Sequence, residues 1–160
     1  MKRVKVLFIC TGNICRSPTA EGVFKHFVQQ AGLAGDVLCE SAGTHDYHVG
    51  EAPDSRTQRA AESRGYDLTA LRARQVSRGD FEDFDYVLAM DEANLLALRR
   101  FCPAQHSRKL RLFMEFGNDP AVREVPDPYY GSAQGFERVL DLVEQASKGL
   151  LSHLRDERGK

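Results

Sequence analysis

The chain opens on a short apolar run, Val4, Val6, Leu7, Phe8 and Ile9, that stops at Cys10. Aliphatic, brief and bounded, it has the character of a strand buried on both faces of a parallel sheet. The period then changes. Ala20, Val23, Phe24, Phe27, Val28 and Ala31 recur at helical spacing behind Ser17 and Pro18, which fit an N-cap and first-turn pair. After Gly32 and Gly35, Val37-Leu38-Cys39 leading into Ser41-Ala42-Gly43-Thr44 predicts a second strand and its exit loop. Residues 45–52 read as a loop. Pro53 and Asp54 open a polar helix that closes near Arg64-Gly65. Asp85-Tyr86-Val87-Leu88-Ala89-Met90 predicts a third buried strand, and Asp91 is placed to cap a helix carrying Leu95, Leu96, Leu98 and Phe101. Lys109 to Met114 predicts a fourth strand. A loop holding Pro120, Pro126 and Pro128 leads to a last helix with Phe136, Val139, Leu140, Val143, Ala146, Leu150 and Leu154 on one face.

Strands alternating with helices call for an α/β fold, a parallel sheet covered on both sides, with ligands at the carboxyl ends of the strands near the topological switch point. No repeat, low-complexity tract or linker divides the sequence, so residues 1–160 are expected to form a single domain.

Composition narrows the function. A formal net charge of −1, with charged residues interspersed, proposes neither nucleic acid nor an anionic membrane surface. No apolar stretch reaches the roughly 20 residues of a membrane span, and no signal-peptide pattern precedes the first strand, so a cytoplasmic location is expected. The 4 cysteines include no CxxC pair, and the 5 histidines show neither HxxxH nor a Cys/His ligand spacing. Neither a metal nor a cofactor is expected. Cys39 and Cys102 read as small apolar fillers.

Cys10-Thr11-Gly12-Asn13-Ile14-Cys15-Arg16-Ser17 is where candidate chemistry concentrates. A tight loop from a buried strand into a helix N-terminus aims backbone N–H groups and the positive helix end at one point, with Gly12 removing a steric obstacle. Arg16 adds a planar fork suited to a tetrahedral oxyanion. The same positive field favours the thiolate form of Cys10, and the Ser17 hydroxyl can donate to its sulfur. A thiolate facing a bound phosphate can attack phosphorus. GxxxxGK[ST] and GxGxxG are both absent, which argues against nucleoside triphosphates and dinucleotides.

Such an attack needs a proton for the departing oxygen and later an activated water, and one carboxylic acid can serve both. Asp127, held between Pro126 and Pro128, is the candidate; read alone, it fits a turn aspartate as well. Tyr129 and Tyr130 suit either packing or the wall of a cleft for an aromatic substrate.

Taken together, the segment Val6 to Pro18, Ser41-Ala42-Gly43-Thr44, Phe84 to Leu88 with Met90-Asp91-Glu92, and Asp127-Pro128-Tyr129-Tyr130-Gly131 resemble a low-molecular-weight protein tyrosine phosphatase of bacterial type. The resemblance covers nearly the whole chain. It implies a three-layer fold with a four-stranded parallel sheet between helices. It also implies hydrolysis of phosphotyrosine in a protein partner through a phosphocysteine at Cys10, with Arg16 binding phosphate and Asp127 as acid, then base. Thr11, Gly12, Asn13, Ile14, Cys15 and Ser17 complete the phosphate-binding loop. Asn13, Ser17 and Ser41 map to a hydrogen-bonded support, and Tyr47, Tyr129 and Tyr130 to the substrate cleft. No cofactor is implied, and a monomer is expected.

Two positions depart from the pattern. Tyr47 stands where bacterial relatives more often have tryptophan. Leu71 stands where relatives commonly place a histidine that braces the loop asparagine; leucine donates no hydrogen bond, so the support of Asn13 must rest on Ser41, water or another group. Of rival activities, a protein arginine phosphatase uses the same nucleophile, but such relatives tend to have threonine at the position of Ile14. A thiol-dependent arsenate reductase needs further cysteines to relay a disulfide, and Cys39 and Cys102 are far apart in sequence. A phosphocysteine carrier has no need of Asp127, and a phosphoprotein-binding module no need of Cys10. Cys15, a second thiol in the loop, is expected to guard Cys10 against irreversible oxidation.

Overall fold

A computed structural model describes residues 3–158. In chain order the elements are β1 (Val4–Cys10), α1 (Arg16–Gln30), β2 (Val37–Gly43), α2 (Ser55–Glu62), α3 (Asp80–Asp83), β3 (Tyr86–Ala89), α4 (Glu92–Phe101), β4 (Leu110–Leu112) and α5 (Ala133–Arg158). The 4-stranded sheet has the order β2-β1-β3-β4, and every neighbouring pair is parallel.

Strand β1 is central, and its alternation sorts the core. Val6, Phe8 and Cys10 point into one apolar cluster with Phe24 of α1 and Val139 and Val143 of α5. Leu7 and Ile9 point into the other, with Phe81 of α3 and Leu95 and Leu98 of α4. Helices therefore cover both faces, giving the three-layer α/β architecture expected from the alternating pattern. Phe8 is fully buried and meets Phe24 at 5.7 Å and Phe113 at 5.0 Å, both edge to face. Truncating a ring in such a place typically costs about 3–5 kcal/mol.

The order of strands fixes where a ligand can bind. From β1 the chain crosses to β2 on one side, then returns past β1 to β3 on the other. The carboxyl ends of β1 and β3 thus flank the switch point, where the loops on either side diverge and leave a crevice. Cys10 ends β1, and Met90-Asp91 follow β3.

Three details differ from the sequence-based expectation. Helix α1 begins at Arg16 with Cys15 at the N-cap, where no side-chain cap bond forms. Ser17 is therefore inside the helix and is not its cap; its hydroxyl is turned back toward Cys10. The fourth strand is confined to Leu110–Leu112, because residues 104–109 and 113–116 wind into 3₁₀ turns. The short α3 had no apolar period long enough to announce it. Among the described residues no helix is long and apolar enough to cross a membrane.

Candidate active site

The segment from Cys10 to Arg16 is bent into a cup by bonds that pull its carbonyls outward. Thr44 N–H donates to Cys10 O at 2.9 Å, His45 N–H to Thr11 O at 3.1 Å, and Asp54 N–H to Ile14 O at 2.9 Å. The first-turn amides of α1 have no intrahelical acceptors and remain available at the mouth. Asn13 takes the left-handed conformation (φ 60°), which asparagine tolerates better than most residues. Gly43 is required by contact: a Cβ there would lie 2.7 Å from Thr11 O. At Gly12 a Cβ would lie 3.1 Å from the His48 ring, so its small size makes room for the loop after β2.

Cys10 Sγ sits at the floor, receiving Asn13 N–H at 3.3 Å and lying 3.0 Å from Ser17 Oγ. Asn13 Nδ2 donates to Ser17 Oγ at 2.8 Å and to Ser41 Oγ at 3.0 Å, and Ser41 in turn donates to buried Glu21 at 2.7 Å. The remaining capacity of Asn13 is met by the backbone: Arg74 N–H donates to Asn13 Oδ1 at 2.9 Å. Leu71, where the resemblance implied a bracing histidine in other members, packs against the larger apolar cluster. The loop is thus braced without a histidine, and every polar atom of the Asn13 side chain has a partner.

Arg16 is 3% exposed. Its Nη1 donates to Asp91 Oδ2 at 2.6 Å and to Val125 O at 3.1 Å, while Nη2 reaches Thr11 Oγ1 at 3.4 Å. Burial opposes its charge, yet Cys10, Asp91 and Asp127 outweigh that cost and hold the guanidinium above its ordinary pKa. Asp127 arrives from the opposite wall. Its Oδ1 accepts Tyr129 N–H at 3.0 Å, closing a turn, and Oδ2 lies 3.9 Å from Arg16 Nη2. The turn reading and the acid reading of Asp127 are therefore compatible: the turn aims the free oxygen.

Cys10, Thr11, Gly12, Ile14, Cys15, Arg16, Tyr47, His48, Asp127, Tyr129 and Tyr130 line one cavity of about 440 Å³. Asn13, Ser17 and Ser41 stand behind it, buried, as supports. Tyr47 and Tyr130 are largely exposed at the mouth, and Tyr47 stacks on His45 at 4.9 Å. Cys15 is buried in the loop, and that burial pushes its thiol up to about 12. Among the described residues no group of His, Cys, Asp and Glu converges to hold a metal ion.

Sequence reasoning missed several participants. Asp91 was legible as a helix cap, which it is, accepting Asn94 N–H at 2.7 Å; its second oxygen on Arg16 was not. The available signal was its position directly after a buried strand beside the switch point. Asn94, which donates to Thr11 Oγ1 at 3.1 Å, and Glu21 behind Ser41 gave none, since each looks like an ordinary helix residue.

This geometry has close counterparts. The family model for low molecular weight phosphotyrosine protein phosphatase matches residues 5–160. A low molecular weight protein-tyrosine-phosphatase of Streptomyces coelicolor is 46% identical over 158 residues, covering 96% of this chain and 94% of that protein. A protein tyrosine phosphatase from Entamoeba histolytica, crystallised with Hepes in its active site, superposes with a TM-score of 0.93 at 42% identity, covering 97% of this chain and 99% of the other. The Drosophila arginine phosphatase superposes with a TM-score of 0.88 at 33% identity, covering 94% and 98%. The chain belongs to the low molecular weight phosphotyrosine protein phosphatase family, cysteine-dependent hydrolases that act on phosphoproteins.

Proposed function

We propose that the protein hydrolyses phosphotyrosine in proteins through a phosphocysteine at Cys10. The observation that carries this is the meeting of Cys10, Arg16 and Asp127 in one aromatic-walled cavity. A phosphate seated on the loop amides and Arg16 presents phosphorus to Cys10 Sγ. With Cys10 as thiolate, the Ser17 hydroxyl donates to sulfur and holds it at the floor. Sulfur bonds to phosphorus as the P–O bond to the tyrosine ring breaks, and Asp127 gives its proton to the departing phenolic oxygen. Asp127, now a carboxylate, takes a proton from water as that water attacks the phosphocysteine; inorganic phosphate leaves and the thiolate is restored. The spread of negative charge over the phosphoryl oxygens in each transition state is met by Arg16 and the fixed amides.

Ile14 and the three tyrosines of the cavity favour a phenyl ester. A phenyl spacer also carries phosphate deeper than a serine methylene can. The whole of residues 1–160 is taken as one phosphatase domain, a monomer working in the cytoplasm. Likeness to an arginine phosphatase supports a second reading, in which the same loop cleaves a phosphorus–nitrogen bond. Matched phosphotyrosine, phosphoserine and phosphoarginine peptides, compared by kcat/KM, separate these: a clear lead for phosphotyrosine is expected. Parity with phosphoserine rejects the selectivity, and a lead for phosphoarginine selects the second reading.

A further inference from the structure

Beside the catalytic cavity, between α2 and α5, lies a second cavity of about 410 Å³ lined by Arg56, Arg59, Ser63, Phe136 and Glu137. The two share a partition. The Arg56 guanidinium lies 5.3 Å from the centre of the Tyr129 ring, which walls the catalytic cavity, and 4.9 Å from that of Phe136, which lines the second. Bonds of 2.8 and 3.0 Å to Asp54 fix that guanidinium and compensate its charge. Glu137 is held by Arg64 at 2.8 Å, a guanidinium it shares with Asp141 at 3.0 Å and Glu144 at 2.7 Å. Arg59 is different: it is exposed and has no carboxylate partner among the described residues. Arg59 is therefore the lining cation without a counter-ion, beside the Arg56–Phe136 stack and next to the ring that walls the catalytic cleft.

We propose that this cavity takes the carboxylate of an Asp or Glu that flanks the phosphorylated residue in the substrate, with Arg59 as its partner. The proposal rests on the phosphatase reading above and adds a sequence preference to it. A peptide whose phosphotyrosine enters beside Tyr129 can run across the Tyr129–Arg56 partition toward the cavity that Arg59 lines. An acidic side chain gains an ion pair there; a basic one meets the unmatched charge of Arg59.

The test is kcat/KM for phosphotyrosine peptides in which a single Asp is scanned through the flanking positions, with wild type, Arg59→Ala and Arg59→Glu, at low and high salt. Para-nitrophenyl phosphate, too small to reach Arg59, serves as reference. Asp at one or more positions should raise kcat/KM about two- to fivefold in wild type, the range of an exposed ion pair. Arg59→Ala should abolish that gain and Arg59→Glu should transfer it to Lys at the same position. High salt should shrink it. Turnover of the small ester should be equal in all three enzymes. A flat scan in wild type, or a gain that survives Arg59→Ala, overturns the proposal while small-ester turnover leaves the phosphatase reading standing. Failure of wild type to hydrolyse any phosphoester overturns the phosphatase reading and this proposal with it.

Discussion

Asp91 serves two masters with its two oxygens: Oδ1 caps α4 through Asn94 N–H at 2.7 Å, and Oδ2 holds Arg16 Nη1 at 2.6 Å. The carboxyl end of β3 is thereby tied to the phosphate-binding loop at the end of β1. Asp91→Asn keeps a capping oxygen but removes the charge that orients Arg16. Because the Asp91 side chain is 21% exposed, the stability loss should stay at about 1–3 kcal/mol. Loss of orientation should lower kcat/KM by about 10- to 100-fold. Thermal unfolding and steady-state kinetics check both, and wild-type kinetics in the variant would show that Arg16 needs no such anchor.

Asp127→Asn should lower kcat by about 10²- to 10⁴-fold with KM much closer to wild type, because the proton is needed in the transition state more than in binding. The deficit should shrink for esters with very acidic phenols. A series of aryl phosphates reads this directly, and an equal deficit across the series would reduce Asp127 to the turn it forms with Tyr129.

Asn13→Ala would strip the bonds to Ser17 and Ser41 and leave Arg74 N–H without its acceptor. It would also put alanine in a left-handed conformation. A loss of about 2–4 kcal/mol in urea unfolding is expected, with a marked fall in kcat. Leu71→Ala should spare kcat, since the half-buried Leu71 packs against the apolar cluster and does not brace the loop.

Burial raises the pKa of Glu21 above the ordinary carboxyl range, and its contacts with Ser41 and Lys25 offset this only in part. The folded state then binds more protons than the unfolded state between the two values. Stability from this group is complete below the unfolded pKa of 4.5 and is lost as pH rises through the higher folded value. Glu21→Gln should flatten that part of the stability profile. Parallel profiles for the two proteins, measured by urea unfolding from pH 4 to 8, would contradict it.

With its thiol pushed up to about 12, Cys15 is protonated at neutral pH. Peroxide should convert Cys10 to a sulfenic acid, and the Cys15 thiolate should then displace hydroxide to form the disulfide. That second step should accelerate about tenfold per pH unit between 7 and 9. Mass-spectrometric timing of the Cys10–Cys15 bond reads the rate, and activity recovered by dithiothreitol reads the protection. Unchanged recovery in Cys15→Ser would remove the protective role.

Much of this was legible in the sequence because it was local. The run Val4–Ile9 could only be a buried strand, and the change of period after Ser17 could only be a helix. Order along the chain then gave the layers. Cys10 and Arg16 were tied to Asp127, more than a hundred residues further along, by chemistry before geometry. What escaped was non-local or finely balanced. Ser17 is a residue type that suits a cap, but it lies within the first turn of α1 with its hydroxyl turned back to Cys10 Sγ. The support from Arg74 N–H is a backbone group, which carries no residue-type signal. The brevity of β4 is set by the 3₁₀ turns at both its ends.

The central claim is that phosphoryl transfer passes through sulfur. Rapid acid quench of the wild-type enzyme with a phosphotyrosine substrate, followed by peptide mass spectrometry, should find a phosphoryl group on Cys10, and Cys10→Ser should fold and bind phosphate analogues but neither carry that group nor turn over. Substantial hydrolysis by Cys10→Ser, or loss of wild-type activity on adding excess chelator, would contradict it.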